Sequence, residues 1–343
     1  MRSQFITGLS GPELTSEERA LLAQARPAGI ILFARNCLSE AQITRLVGEA
    51  LAAIGTHETL VLIDQEGGRV QRLRPPLGRT LPPARVYGEM FATDADGACE
   101  VARSVYRLLA DDLRALGINT NCAPVLDCPV PGAHAIIGDR AFASEVGPIA
   151  RLGRAVCEGL MAGGVVPVIK HIPGHGRALA DSHLELPRVS TPAADLAATD
   201  FAPFRMLADM PAAMTAHVVY EAVDPHAPAT TSRSVTDDVI RGQIGFDGLL
   251  MSDDLSMQAL SGSIRQRAET SLAAGCDVVL HCNGAIEEMR QALAGVGSLE
   301  GAAARRFAAT LAVLQRAEPF DRAAAEAALA GCMAHARRDT ESV

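Results

Sequence analysis

The chain has no tryptophan, and aromatic residues make up only 3% of its 343 residues. Stacking platforms for single-stranded nucleic acid are therefore not expected, nor is a long aromatic-lined polysaccharide cleft. No apolar run reaches membrane-spanning length. The first residues, Met1 to Gly11, show no basic segment leading into an apolar core and a small-residue cleavage site. The eight cysteines (Cys37, Cys99, Cys122, Cys128, Cys157, Cys276, Cys282 and Cys332) include no C-x-x-C pair. Scattered in this way, they read as free thiols rather than a disulfide framework or a zinc site. Neither G-x-G-x-x-G nor a Walker pattern occurs, so the glycines of D-Q-E-G-G-R (64–69) are a weak signal for phosphate binding. A formal charge of −9 argues against nucleic acid or an anionic membrane as partner. The expectation from these absences is a soluble cytoplasmic protein; a monomer or weak homodimer acting on a small-molecule carbohydrate is expected besides.

What is present is a globular composition, 48% hydrophobic and 21% charged. Short apolar runs alternate with helical stretches. Strands are expected at 4–9, 29–33, 60–64, 117–127, 165–169, 212–217, 248–254 and 276–281. Between them fall helices at 14–25, 39–54, a long one ending near 116, 148–162, 193–208, 235–243 and 265–274. Thr15-Ser16-Glu17-Glu18 has the form of a helix N-cap. About eight βα units without a Ser/Gly linker predict an α/β fold, a single (β/α)8 TIM-like barrel over 1–343. Helices from about 285 would pack on that barrel. A doubly wound sheet is the alternative.

The strands end in ionisable residues: Asp64, Asp127, Lys170-His171, His217, Asp253-Asp254 and His281. One such residue after a strand is chance or a helix cap, and Asp254 is a candidate cap. In a barrel, however, all these ends converge on one face. The densest stretch is K-H-I-P-G-H-G-R-A-L-A-D-S-H (170–183), which holds three of the nine histidines. Asp253 can serve as a carboxylate nucleophile. His183 can give and take a proton near neutral pH, with Asp181 placed to bond its ring. Asp64, Arg72, Arg140 and Lys170 offer donors and acceptors suited to a polyhydroxylated ligand. A metal site built from His171, His175, His183 and Asp253 is the rival reading. Pro173 and Gly174 break the helical His-x-x-x-His presentation that such a site would use.

Several segments, in order, carry a family resemblance: G-I-I-L-F-A-R-N (29–36), I-D-Q-E-G-G-R-V-Q-R-L (63–73), A-P-V-L-D (123–127), I-I-G-D-R-A-F (136–142), K-H-I-P-G-H-G (170–176), D-S-H (181–183) and G-F-D-G-L-L-M-S-D-D-L-S-M (245–257). They resemble glycoside hydrolase family 3, and within it the single-domain bacterial β-N-acetylhexosaminidases that recycle cell-wall muropeptides. The resemblance implies a retaining exo-β-N-acetylglucosaminidase without cofactor or metal. It implies Asp253 as nucleophile, His183 as general acid/base, and Asp181 as its partner. Asp64, Arg72, Arg140, Lys170 and His171 would bind the N-acetylglucosamine, while Arg69 and His175 would shape the loops. A His acid departs from the common scheme of two carboxylates. A neutral imidazole repels an anion less than a carboxylate does, so phosphorolysis beside hydrolysis is conceivable.

The alternatives are a β-glucosidase or broader hexosaminidase of the same family and, in another class, a metal-dependent amidohydrolase-type barrel. Family β-glucosidases carry S-D-W with a distant Glu acid, whereas S-D-D-L and D-S-H favour the N-acetyl sugar. Two places depart from the family pattern. The loop 129–135 (P-V-P-G-A-H-A) lacks an Asn-rich segment, which bears on the placement of Arg140. Arg177 stands where an Asp or small residue is commoner, which bears on loop mobility or the leaving-group side.

Overall fold

In a run such as Leu60-Val61-Leu62-Ile63, alternate side chains point to opposite faces of a strand. Both faces are apolar, so such a strand needs cover on each side. A computed structural model, describing residues 1–178, 182 and 185–340, supplies that cover. Its strands are β1 (Ser3–Gly8), β2 (Pro27–Leu32), β3 (Leu60–Ile63), β4 (Gln65–Gly67), β5 (Val70–Gln71), β6 (Thr120–Asn121), β7 (Val166–Ile172), β8 (Arg188–Val189), β9 (Ala212–Thr215), β10 (Val219–Tyr220), β11 (Leu249–Asp254) and β12 (Val278–His281). Eight of them, β1, β2, β3, β6, β7, β9, β11 and β12, form a closed parallel barrel in that cyclic order. Pairing of Phe5 with Val279 helps close the ring. The remaining four make two small sheets outside it, the antiparallel β4–β5 hairpin and the β8–β10 pair.

The helices are α1 (Ser16–Ala25), α2 (Glu40–Ile54), α3 (Ala84–Thr93), α4 (Ala95–Ala115), α5 (Val146–Ala162), α6 (Ala193–Ala198), α7 (Ala202–Met206), α8 (Ile264–Ala274), α9 (Ile286–Ala294), α10 (Gly301–Leu311) and α11 (Arg322–Thr340). After β9 the chain winds as a π-helix, Val235–Gln243. Every barrel strand is thus followed by a helical segment, the (β/α)8 arrangement expected from the sequence. Inward-facing Ile6, Ile31, Leu62, Val168, Met214, Met251 and Leu280 fill the barrel. Phe307 and Val313 join this same cluster from the C-terminal segment. The intervening residues Val61, Ile169, Ala213 and Leu250 pack outward in the larger core that includes the helices.

Local departures from the sequence expectations have local causes. The N-cap at Thr15 forms as a full capping box with Glu18. The long helix ending near 116 is two helices, because the Asp94 carboxylate accepts from Gly97 N (3.0 Å) and starts α4 anew. The stretch 193–208 is likewise split where Asp200 turns inward to pair with Arg177. Strand 117–127 shrinks to Thr120–Asn121. Around it the Asn119 and Asn121 side chains take strand partners for themselves, accepting from Val61 N (2.7 Å) and Gln65 N (3.0 Å). Conversely β7 and β11 run on through Lys170-His171 and Asp253-Asp254, so these residues belong to strands rather than to loops.

The C-terminal helices are tied in from below and from the side. Helix α11 packs on α4 and α3. Under the barrel, the buried Asp277 accepts from Leu250 N (2.9 Å), Arg241 (2.9 Å) and Arg306 (2.9 Å). One carboxylate thereby links β11, the π-helix and α10. Removing one partner of a buried ionic cluster costs about 3 kcal/mol or more. Asp277→Ala should therefore lower the urea-unfolding free energy by about that amount, with little change in the denaturant slope. A loss below about 1 kcal/mol would show that the base does not rely on this carboxylate.

Candidate active site

The inward rows of three strands end in charge. Leu60 and Leu62 lead to Asp64, Val166 and Val168 to Lys170, and Leu249 and Met251 to Asp253. At the mouth these meet an alternating chain of ions. Lys170 Nζ lies 3.0 Å from Asp64 Oδ1 and 2.6 Å from Glu66 Oε1. Arg72 donates to Asp64 Oδ2 (3.0 Å), and the Arg140 guanidinium grips Glu66 with two bonds of 2.8 Å. Burial disfavours the charge on Asp64 and Glu66, but the neighbouring cations outweigh it. The Asp64 carboxyl is held far below the usual carboxylate range and that of Glu66 at about 2. Lys170, also buried, is raised above its ordinary value by the same two carboxylates.

The hairpin that carries Glu66 is fixed by Gln65. Its side chain accepts from Arg72 N (2.9 Å) and Leu73 N (3.0 Å) and donates to Leu73 O (2.8 Å). Arg140 is steadied from its own loop as well. Arg69 donates to the carbonyls of Ala135 (2.9 Å) and Ile137 (3.1 Å) and pairs with Asp139 (3.1 Å). Arg69 thus braces the loop that leads from the 129–135 segment to Arg140.

Asp127 is fully buried and organises the K-H-I-P-G-H-G turn. It accepts from His171 N (3.2 Å), His171 Nδ1 (2.8 Å) and His175 N (2.7 Å). Burial opposes its charge, His171 and His175 favour it, and the net result is about 2. With Nδ1 engaged by a carboxylate, the other ring nitrogen of His171 is left for a ligand. Gly174 sits at φ +139°, and a Cβ on Gly176 would lie 1.9 Å from the Cys128 carbonyl oxygen. The turn therefore needs glycine at both places. Arg177 pairs with Asp200 (2.6 Å) and Thr199 (3.0 Å), so it anchors this turn to the segment before α7.

Asp64, Arg72, Arg140, Lys170, His171 and Asp253 all line one cavity of about 340 Å³, with Ile31, Phe33, Glu66, Arg69, His175, Ser182, Asp254 and Met257. Phe33 stands between the guanidiniums of Arg35 and Arg72, 4.8 and 5.0 Å from its centroid. Asp181 and His183 lie outside the described residues. Ser182, between them, lines the cavity and meets His175 Nε2 at 3.1 Å. Asp253 is half-buried, and its carboxyl is held below the usual carboxylate range. Burial opposes its charge, but His171, the Asp254 amide and Lys170 favour it. Asp254 itself fixes a turn, accepting from Ser256 N and Cys282 N (3.0 Å each). His281 points out of the barrel to Glu288 (3.0 Å) and takes no part.

Sequence reasoning passed over Glu66 and Phe33. Glu66 continues the inward row 60, 62, 64, which was the signal available for it. Among the described residues no three His, Cys, Asp or Glu side chains gather as metal ligands would.

Burial holds the His175 imidazole down at about 4, against 6.5 in an exposed chain. The folded protein then binds fewer protons than the unfolded chain between those values, so stability must fall as pH drops from about 6.5 to about 4. Asp127 and Glu66 extend the fall from about 4 towards 2. His175→Gln should shrink the upper leg of a plot of unfolding free energy against pH, which the likewise depressed His217 shares, and leave the lower one. An unchanged upper leg would assign that titration to another group.

The chain was compared with known proteins. Residues 4–315 match the model of the glycosyl hydrolase family 3 N-terminal domain. A β-hexosaminidase of Alkalilimnicola ehrlichii is 42% identical over 283 residues, covering 81% of this chain and 80% of that one. Another, from Bordetella avium, is 42% identical over 279 residues, with 80% and 79% covered. The crystal structure of NagZ from Neisseria gonorrhoeae in complex with N-trifluoroacetyl-D-glucosamine superposes with a TM-score of 0.86 at 37% identity, covering 96% of this chain and 98% of that one. The chain belongs to glycosyl hydrolase family 3 and is a glycoside hydrolase of the β-hexosaminidase type.

Proposed function

We propose that this protein is a retaining exo-β-N-acetylglucosaminidase that removes terminal N-acetylglucosamine from peptidoglycan-derived muropeptides in the cytoplasm. The observation that carries the reading is the meeting of Asp253 with the Arg72–Asp64–Lys170–Glu66–Arg140 chain in one cavity. That cavity is at the lower end of the range for ligand sites, about 300–1,000 Å³. A pocket of this size suits one terminal sugar rather than a long chain, which supports exo action. The N-acylated glucosamine in the Neisseria gonorrhoeae structure supports the choice of sugar. No helix among the described residues is long and apolar enough to cross a membrane. The muropeptide, its recycling and the cellular place extend from the family resemblance.

In the proposed reaction, the Asp64 carboxylate accepts bonds from sugar hydroxyls, and Lys170, Arg72, Arg140 and His171 donate to its oxygens. Every cation in the chain already has a carboxylate partner, so these donors are oriented before the sugar arrives. Asp253 attacks the anomeric carbon while His183, as imidazolium, protonates the departing oxygen. The products of this half are the free aglycone, a glycosyl ester on Asp253 and a neutral His183. Water then attacks the ester as His183 takes its proton, which returns Asp253 as a carboxylate and retains the configuration. Asp181 would stabilise the imidazolium.

Release of 4-nitrophenol from its N-acetyl-β-glucosaminide should clearly exceed that from the β-glucoside and be unaffected by EDTA. Preference for the glucoside would redirect the reading to a β-glucosidase, and loss with EDTA to a metal-dependent hydrolase. Asp253→Ala should abolish turnover. His183→Ala should lose on the order of 10² to 10⁴ in rate on alkyl or sugar leaving groups and much less on 4-nitrophenol, which needs little protonation. Equal losses on both would remove the acid/base role from His183.

A further inference from the structure

Behind the cavity wall, three side chains that do not line it make a closed circuit with the backbone of Asp253 and Asp254. Thr215 Oγ1 accepts from Asp253 N (3.3 Å) and lies 2.8 Å from Thr230 Oγ1. Thr230 Oγ1 is 2.7 Å from His217 Nδ1, and His217 Nε2 is 3.1 Å from the Asp254 carbonyl oxygen. Thr215, His217 and Thr230 are all fully buried. They come from the end of β9, the connection after it and the turn Ala229–Thr231.

The two backbone ends fix the direction of the bonds they touch. The Asp254 carbonyl can only accept, so His217 carries its proton on Nε2 and donates there. Burial lowers the imidazole's proton affinity, which favours the neutral ring with Nδ1 bare. Bare Nδ1 must accept the Thr230 hydroxyl. The Thr230 oxygen then takes the Thr215 hydroxyl, and the Thr215 oxygen takes the Asp253 N–H. With His217 neutral, this arrangement gives each contact of the circuit one proton, and the Ala216 carbonyl, 3.2 Å from Thr230 Oγ1, stands outside it.

The circuit grips the peptide groups on either side of the Asp253–Asp254 peptide. That middle peptide's own N–H donates to Asp253 Oδ1 at 2.8 Å. Turning it would swing the carboxylate, and the circuit resists the turn from both flanks.

We propose that Thr215, Thr230 and His217 are positioning residues that aim the Asp253 carboxylate at the anomeric carbon. They therefore act on formation of the glycosyl-enzyme rather than on sugar binding. The proposal rests on Asp253 being the nucleophile. Thr→Val removes the hydroxyl and keeps the shape, and Thr→Ser keeps the hydroxyl. The measurement is the single-turnover rate constant for nitrophenol release from 4-nitrophenyl N-acetyl-β-glucosaminide at saturating substrate, together with the apparent dissociation constant.

Thr215→Val and Thr230→Val should each lower that rate constant about 10- to 100-fold and move the dissociation constant by less than about 3-fold, the pattern expected of a misaimed reacting group. Thr215→Ser and Thr230→Ser should restore most of the rate. The double Val variant should fall no more than about 3-fold below the slower single one, because one break already opens the circuit. Wild-type rates in the Val variants, weakened binding at unchanged rate, or multiplicative losses in the double variant would each overturn the proposal. A 5-fluoro-N-acetylglucosaminyl fluoride trap with peptide mass mapping separates the two claims. A label on Asp253 with unaffected Val variants sinks the circuit alone, whereas a label on another residue sinks the nucleophile and the circuit with it.

Discussion

A lysine ammonium inside a barrel must be neutralised, because an unpaired buried charge is among the most costly things a fold can contain. The Lys170 side chain is only 3% exposed, at the centre of the mouth. Two carboxylates meet it, one at the end of β3 and one on the hairpin that follows. Those carboxylates in turn need Arg72 and Arg140, which draws the hairpin and the 129–140 loop over the barrel axis. Three cations against two anions leave the chain one positive charge, and Asp253 opposite brings the total to zero. A neutral sugar enters such a site without unbalancing it. The same fixed charges suit a reaction in which positive charge grows on the sugar beside a carboxylate.

Much of this was legible in the sequence for a simple reason. The strand period of two carries over from an apolar run to the residue just past it. Leu62 to Asp64, Val168 to Lys170 and Met251 to Asp253 are each steps of two, so all three point into the barrel with the residues before them. The same rule explains why His281 leaves the site, since it sits one residue from inward Leu280. Glu66 is a further step of two beyond Asp64. It was hidden by the glycines around it, which drew the reading towards phosphate loops. The shortening of strand 117–127 was not legible, because an Asn that takes its neighbour's strand partner looks in sequence like any polar strand residue. Nor was the Thr215–Thr230–His217 circuit, whose members have no pattern until the chain has folded.

The two ends of the barrel solve different problems with similar residues. At the base, Asp277 joins three elements through arginines and a backbone amide, and the carboxylate itself lines no cavity. At the mouth, the same kind of pairing leaves donor atoms facing a cavity. The difference lies in geometry. At the base the carboxylate sits between elements that must stay together, while at the mouth the ion pairs run around a rim and leave its centre open. Stability at one end and reactivity at the other follow from where the strand rows stop.

Asp253 is treated unlike its neighbours at the mouth. Among the described residues no cation lies within ion-pair distance of it, although Asp64 and Glu66 close by each hold two. A direct salt bridge would aim the carboxylate but would also draw electron density away from the oxygen proposed to attack. A frame of hydrogen bonds holds its backbone instead, and among the described residues only the Asp254 amide touches a carboxylate oxygen. Orientation by neutral groups and recognition by paired charges can then coexist within one small cavity. On the proposed reading, the carboxylates that meet the sugar can be deeply stabilised anions because they never change their bonds, whereas a nucleophile has to keep an oxygen free to react.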